Sequence, residues 1–94
     1  MTVRYTPEAR DDLAEVLGHL ADKDLVAAIN LRRRVEQHLI LVDEGYLECR
    51  SVKLARGQTA FRLVERPLVI FYQRDTEGIV VLRVRDGRQA PIEP

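Results

Sequence analysis

The chain has one cysteine, no tryptophan and no net charge over its 94 residues. A lone Cys49 excludes an internal disulfide and a zinc site built on several cysteines. There is no glycine-rich phosphate loop and no cluster with metal-ligand spacing, so no metal and no cofactor is expected. No apolar stretch is long enough to span a bilayer and no signal peptide opens the chain, which makes a reducing cytoplasm the expected compartment, without membrane contact. A balanced formal charge argues against a general nucleic-acid binder. With no repeat and no low-complexity linker, residues 1–94 are expected to form a single domain.

Catalytic groups are as scarce. His19 and His38 are the only histidines, and both fall in helical patterns without a Ser, Cys or Asp placed to complete a nucleophilic triad. Asp11, Asp12, Asp22 and Asp24 sit where helices begin, and the helix dipole explains them better than a metal does.

What is present is an uneven distribution of charge. Residues 1–49 carry six Lys/Arg against ten Asp/Glu, whereas residues 50–94 carry nine against five. The basic half also holds the clearest structural signal. Leu68–Tyr72 and Ile79–Val84 are apolar runs rich in β-branched and aromatic residues. Between them lies the polar stretch Gln73–Gly78, a hairpin pattern whose strands suit the middle of a sheet.

The rest of the chain supplies cover for that hairpin. Val3–Tyr5 reads as a short edge strand. Thr6 then serves as an N-cap and Pro7 as the first residue of a helix running to about Ala21, with Ala9, Leu13, Val16, Leu17 and Leu20 on one face. After the polar break Asp22–Asp24, Asp24 caps a second helix whose apolar face holds Ala28, Leu31, Val35, Leu39 and Val42, widened by Ile40 and Leu41. Gly45 ends it. The run Arg32-Arg33-Arg34 reads as a solvated face, with Arg32 and Glu36 in an i,i+4 pair. A link of two or three residues makes the helices an antiparallel hairpin. Ser51–Leu54 and Thr59–Glu65 read as strands, with a turn at Arg56-Gly57-Gln58 and another at Arg66-Pro67. Gln89–Pro94 reads as an extended tail.

The expected class is therefore α+β. A short N-terminal strand and an antiparallel helical hairpin pack on a mostly antiparallel sheet in the order β-α-α-β-β-β-β. Strand alternation assigns Val80, Leu82 and Val84 to the face under the helices, and Ile79, Val81, Arg83 and Arg85 to the open face. That leaves a basic set, Lys53, Arg62, Arg66, Arg83, Arg85 and Arg88, with Tyr72 nearby, able to grip carboxylates or phosphates through forked hydrogen bonds.

The segments VRYTPEARDDLAEV, LILVDEG and PLVIFYQRDTEGIVVLRVRDGRQ resemble toxins of the ParE/RelE superfamily of bacterial type II toxin–antitoxin systems over almost the whole chain. The resemblance implies the small α/β fold of that superfamily. Its RelE-like members are ribosome-dependent mRNA endonucleases using basic residues on the central strands, often with a C-terminal tyrosine or histidine. In this chain Leu68-Val69 stands where those nucleases carry an arginine, and no Tyr or His follows Arg88. The IFY…GIVVLRV wording is nearer to ParE, which implies a non-enzymatic toxin that inhibits DNA gyrase by binding. The resemblance also implies a cognate antitoxin in a hetero-oligomer, with a helix beside the helical hairpin and a segment over the sheet. Arg62, Arg66, Tyr72, Arg83, Arg85 and Arg88 are the candidate contacts to antitoxin or target, and no sequence-specific DNA binding by the toxin itself is expected. In the nuclease alternative, Lys53, Arg62 and Arg88 act on the scissile phosphate by electrostatic stabilisation. A diverged toxin that only binds antitoxin is the remaining alternative.

Overall fold

The computed structural model describes residues 2–47, 49–54 and 57–87. The elements follow the expected order: β1 Thr2–Tyr5, α1 Pro7–Lys23, α2 Leu25–Asp43, β2 Arg50–Lys53, β3 Thr59–Glu65, β4 Leu68–Asp75 and β5 Gly78–Asp86. They form one five-stranded sheet in the order β1-β5-β4-β3-β2. Only β1 is parallel to its neighbour, β5, and the remaining pairs are antiparallel.

Local chemistry sets the helix ends. Thr6 Oγ1 accepts from the Ala9 N–H at 3.1 Å and donates to the Leu82 carbonyl at 2.9 Å, so one hydroxyl both caps α1 and ties its start to β5. Asp24 alone joins the helices. Its N–H donates to the Leu20 carbonyl at 2.8 Å, closing α1, and its Oδ1 accepts from the Ala27 N–H at 3.0 Å, opening α2. The link is thus one residue rather than two or three, and α1 runs two residues past Ala21. At the other end of α2, Gly45 has φ +87°. The Gly45 N–H donates to Val42 and the Tyr46 N–H to Leu41, which satisfies the last carbonyls in a Schellman arrangement.

The core lies between the helices and one face of the sheet. Ala9, Leu31, Val35, Leu39 and Val42 meet Leu63, Leu68, Ile70, Tyr72, Ile79, Val81 and Val84, all buried. Ile40 and Leu41 do not join that face and remain exposed. The central hairpin is longer than the apolar runs suggest. Its strands continue to Asp75 and resume at Gly78, around a two-residue turn rather than the loop Gln73–Gly78. Asp75 Oδ1 accepts from the Glu77 N–H at 2.8 Å, the side-chain turn that permits this extension.

One expectation for β5 is overturned. Tyr72 pairs with Val81 and the adjacent Phe71 with Arg83, so Leu82 is an extra residue in a β-bulge. The bulge shifts the alternation. Ile79 and Val81 are fully buried under the helices, whereas Val80 and Leu82 are half-exposed. Val84, beyond the bulge, faces the core as expected.

Candidate functional site: the open face of the sheet

Register identifies the residues on the face turned away from the helices. Because residues directly opposite on antiparallel strands share a face, Arg50, Arg62, Phe71 and Arg83 form one row across β2, β3, β4 and β5. At about 4.8 Å per strand the row is roughly 14 Å long. A neighbouring row holds Val64, Val69 and Arg85. Val64 is 48% exposed, and Phe71 is buried between its flanking arginines in sequence of strands. Among the described strand residues on this face, Asp75 is the one acid, and Arg4 holds it at the far end of the sheet. A chain of zero net charge therefore presents a cationic, partly apolar face.

The arginines differ in how they are held. Arg83 Nε donates to Asp12 Oδ2 at 2.7 Å and Nη2 to Oδ1 at 3.2 Å, a bidentate pair with a residue of α1. The Val84 N–H also donates to Asp12 Oδ2, at 3.0 Å. Asp12 thus occupies the edge of β5 beyond the reach of the four-residue β1. Partial burial pushes the Asp12 carboxyl up. The hydrogen bonds from Arg83 and Val84 outweigh it, and the carboxyl sits below its ordinary value of 3.8. Arg83 is raised, chiefly by the hydrogen bond to Asp12. Arg85 is half-buried, and its Nε has no hydrogen-bond partner.

Arg50, Arg62 and Arg66 are exposed, and their guanidinium groups have no acid partner among the described residues. Arg66 lies in the β3–β4 turn, where only its carbonyl is engaged, by Arg34 Nη2 at 3.3 Å. Arg50 opens β2, one residue before the strand that the sequence pattern starts at Ser51. Its place directly opposite Arg62 was hidden because a strand of four residues gives alternation too little length to fix its start. Arg88 lies outside the described residues.

Two other candidates are not on this face. Tyr72 is 1% exposed and belongs to the helix-covered side, stacked on Phe61 with ring centroids 5.4 Å apart. Burial, and next a hydrogen bond with Cys49, push its hydroxyl well above the usual tyrosine range. Lys53 pairs with Thr59, three residues from Arg62 on the same strand, so Lys53 and Arg62 project from opposite faces. The structure does not bring these two together over one phosphate.

The helix side carries the acids. Glu65, 8% exposed, accepts from Arg34 Nε at 3.1 Å and contacts His38 Nδ1, pinning α2 to β3. The inward parity of Glu65 with Phe61 and Leu63 was the available signal for this pair. His19 lines a cleft of about 370 Å3 between α1 and the end of β5, with Asp12, Val16, Leu20, Val84 and Arg85. Arg32 and Glu36 pair at 3.0 Å as their spacing requires. Among the described residues no group of three or more His, Cys, Asp or Glu is placed to hold a metal ion, and no helix is long and apolar enough to cross a membrane.

Comparison with protein families gives a match over nearly the whole chain. The family described as the ParE toxin of the type II toxin–antitoxin system, parDE, matches residues 3–91. Comparison with curated proteins gives no match.

Proposed function

The chain belongs to the ParE toxin family of type II toxin–antitoxin systems, and from that premise we propose that it inhibits DNA gyrase by binding, in the cytoplasm, until a cognate antitoxin neutralises it. The observation that carries a binding mode is the open face. Its Arg50 and Arg62 have no acid partner among the described residues and can grip an anion, and Lys53 and Arg62 lie on opposite sides of the sheet. That separation also weakens the ribosome-dependent nuclease alternative, which needs the two cations on one phosphate. The same face suits an antitoxin segment that alternates acidic and apolar residues, with carboxylates on Arg62 and Arg85 and aliphatic side chains on Val64 and Val69.

The test is a supercoiling and cleavage assay with purified toxin and gyrase. Inhibition with accumulation of cleaved DNA, reversed by antitoxin, is the expected result. Unaffected gyrase with toxin that still arrests growth would transfer the reading to a ribosome assay of mRNA cleavage.

A further inference from the structure

Helix α2 has two faces of different character. Leu31, Val35 and Leu39 are buried in the core. Away from that arc runs a stripe of Ile29, Arg33, Glu36 and Ile40, all exposed. At about 100° per residue these four fall within about 60° of arc. Ile29 is 49% exposed and Ile40 50%, and Leu25 and Val26 extend the apolar surface at the start of the helix. Isoleucine is a poorer helix former than Leu, Lys or Glu, so helix stability alone does not place it on a solvated stripe. The stripe is apolar toward both ends and charged in the middle.

That order is its own complement. Consider a second copy of α2 laid antiparallel, with the twofold axis level with the peptide between Arg34 and Val35. Ile29 and Ile40 are equidistant from that level, and so are Arg33 and Glu36. Each Ile29 then meets Ile40 of the second copy, and each Arg33 meets Glu36. Twofold symmetry makes every pair twice. A shift of one turn in one direction sets Arg33 on Arg33, and in the other sets Arg33 on Ile40. Parallel helices set like on like along the whole stripe. Within one chain Arg32 donates to Glu36 Oε1 at 3.0 Å. The second carboxylate oxygen of Glu36 can still accept from another guanidinium. Arg33 has no acid partner among the described residues.

We propose that the exposed stripe of α2 is a contact between two copies of this chain, paired as antiparallel helices about a twofold axis. Ile29 and Ile40 supply the apolar contact, and Arg33 with Glu36 fixes the register. The helices cover one face of the sheet and the stripe points away from it, so the dimer leaves both cationic open faces free. The inference goes beyond the reading of a gyrase inhibitor and does not depend on it.

Sedimentation equilibrium of the purified, intact chain tests the contact. One helix pair is smaller than a standard interface, so wild type should dimerise weakly, with a Kd of about 0.1 mM. R33E and E36R each set acid on acid or cation on cation twice, and each should weaken the dimer about tenfold. Both positions are exposed, so far-UV circular dichroism should not change. An equimolar mixture of R33E and E36R should dimerise again, because one protomer then offers only acids at the two positions and the other only cations. I40D should abolish dimerisation. Wild type that stays monomeric at about 1 mM would overturn the proposal. So would a dimer indifferent to R33E, E36R and I40D, or a mixture of the two charge variants that fails to associate. Antitoxin affinity lost in I40D, with wild type monomeric throughout, would assign the stripe to the antitoxin instead. The measurement involves no gyrase, so a negative supercoiling assay and a failed dimer assay are read separately.

Discussion

Consider two adjacent cross-strand rows of the same sheet. On the helix side, Leu63, Ile70 and Val84 are aligned and all are buried. One residue along each strand, on the open side, the row is Arg62, Phe71 and Arg83, with Arg50 beyond it. The first row gains stability by leaving water, and any loss of volume there leaves a cavity. The second keeps two guanidinium groups opposed with no acid between them, an arrangement that stability alone does not favour. One face holds the protein together, and the other is the face proposed above for an anionic partner.

The sharpest way to break the helix side is at its tightest point. Gly78 has φ +132°, and a Cβ added there would lie 2.1 Å from the Thr2 carbonyl oxygen and 2.9 Å from Asp43 Oδ1. Gly78→Ala is expected to cost about 3 kcal/mol or more, through the combined backbone strain and clash with β1. A loss under 1 kcal/mol in a chemical denaturation curve would show that β1 yields easily. Next comes Leu39→Ala in the centre of α2, where the side chain is fully buried. It should cost about 2–5 kcal/mol by the same measurement. Val64→Ala on the open face should cost less than about 0.5 kcal/mol.

The Asp12–Arg83 pair tests where the two faces meet. Asp12→Asn removes a bidentate partner and is expected to cost about 1–3 kcal/mol near neutral pH. The sign of its pH dependence is fixed. The folded carboxyl sits below its ordinary value of 3.8, so its contribution is complete above that value and is lost as pH falls through the lowered one. The gap between wild type and Asp12→Asn should therefore narrow in acid. A gap that persists unchanged below the carboxylate range would remove the ion pair as its cause.

The smallest expected effect on stability is the most telling about function. Arg62→Glu converts the opposed arginines into an attractive pair, so the unfolding free energy should stay or rise, by about 0.2–1 kcal/mol at most. Antitoxin binding, followed by calorimetry, should weaken. Arg62→Glu that lost stability and kept antitoxin affinity would make the open face an ordinary charged surface.

Which of these features could be read before folding depends on the distance over which each is determined. Thr6-Pro7 and Asp24 mark helix starts because a cap concerns residues three apart, and Gly45 marks a stop for the same reason. The helix faces at Leu31, Val35 and Leu39 follow from a 3.6-residue period sustained over several turns. The place of Arg62 opposite Phe61 and Leu63 is likewise local, because it follows from two-residue alternation within β3.

What only the tertiary structure decided involves residues far apart in the chain. The bulge at Leu82 inverts the faces expected for Ile79, Val80, Val81 and Leu82, because the extra residue is counted against β4 and not within β5. Asp12 reads locally as a favourable charge near a helix start, but its role is to bind Arg83 and Val84, more than 70 residues away. Tyr72, an apparent neighbour of the arginines, is in the core, and Lys53 and Arg62 are parted by the plane of the sheet. Caps and periodicities are local and therefore written in sequence. Register, and with it the membership of a binding face, is fixed only when strands find one another.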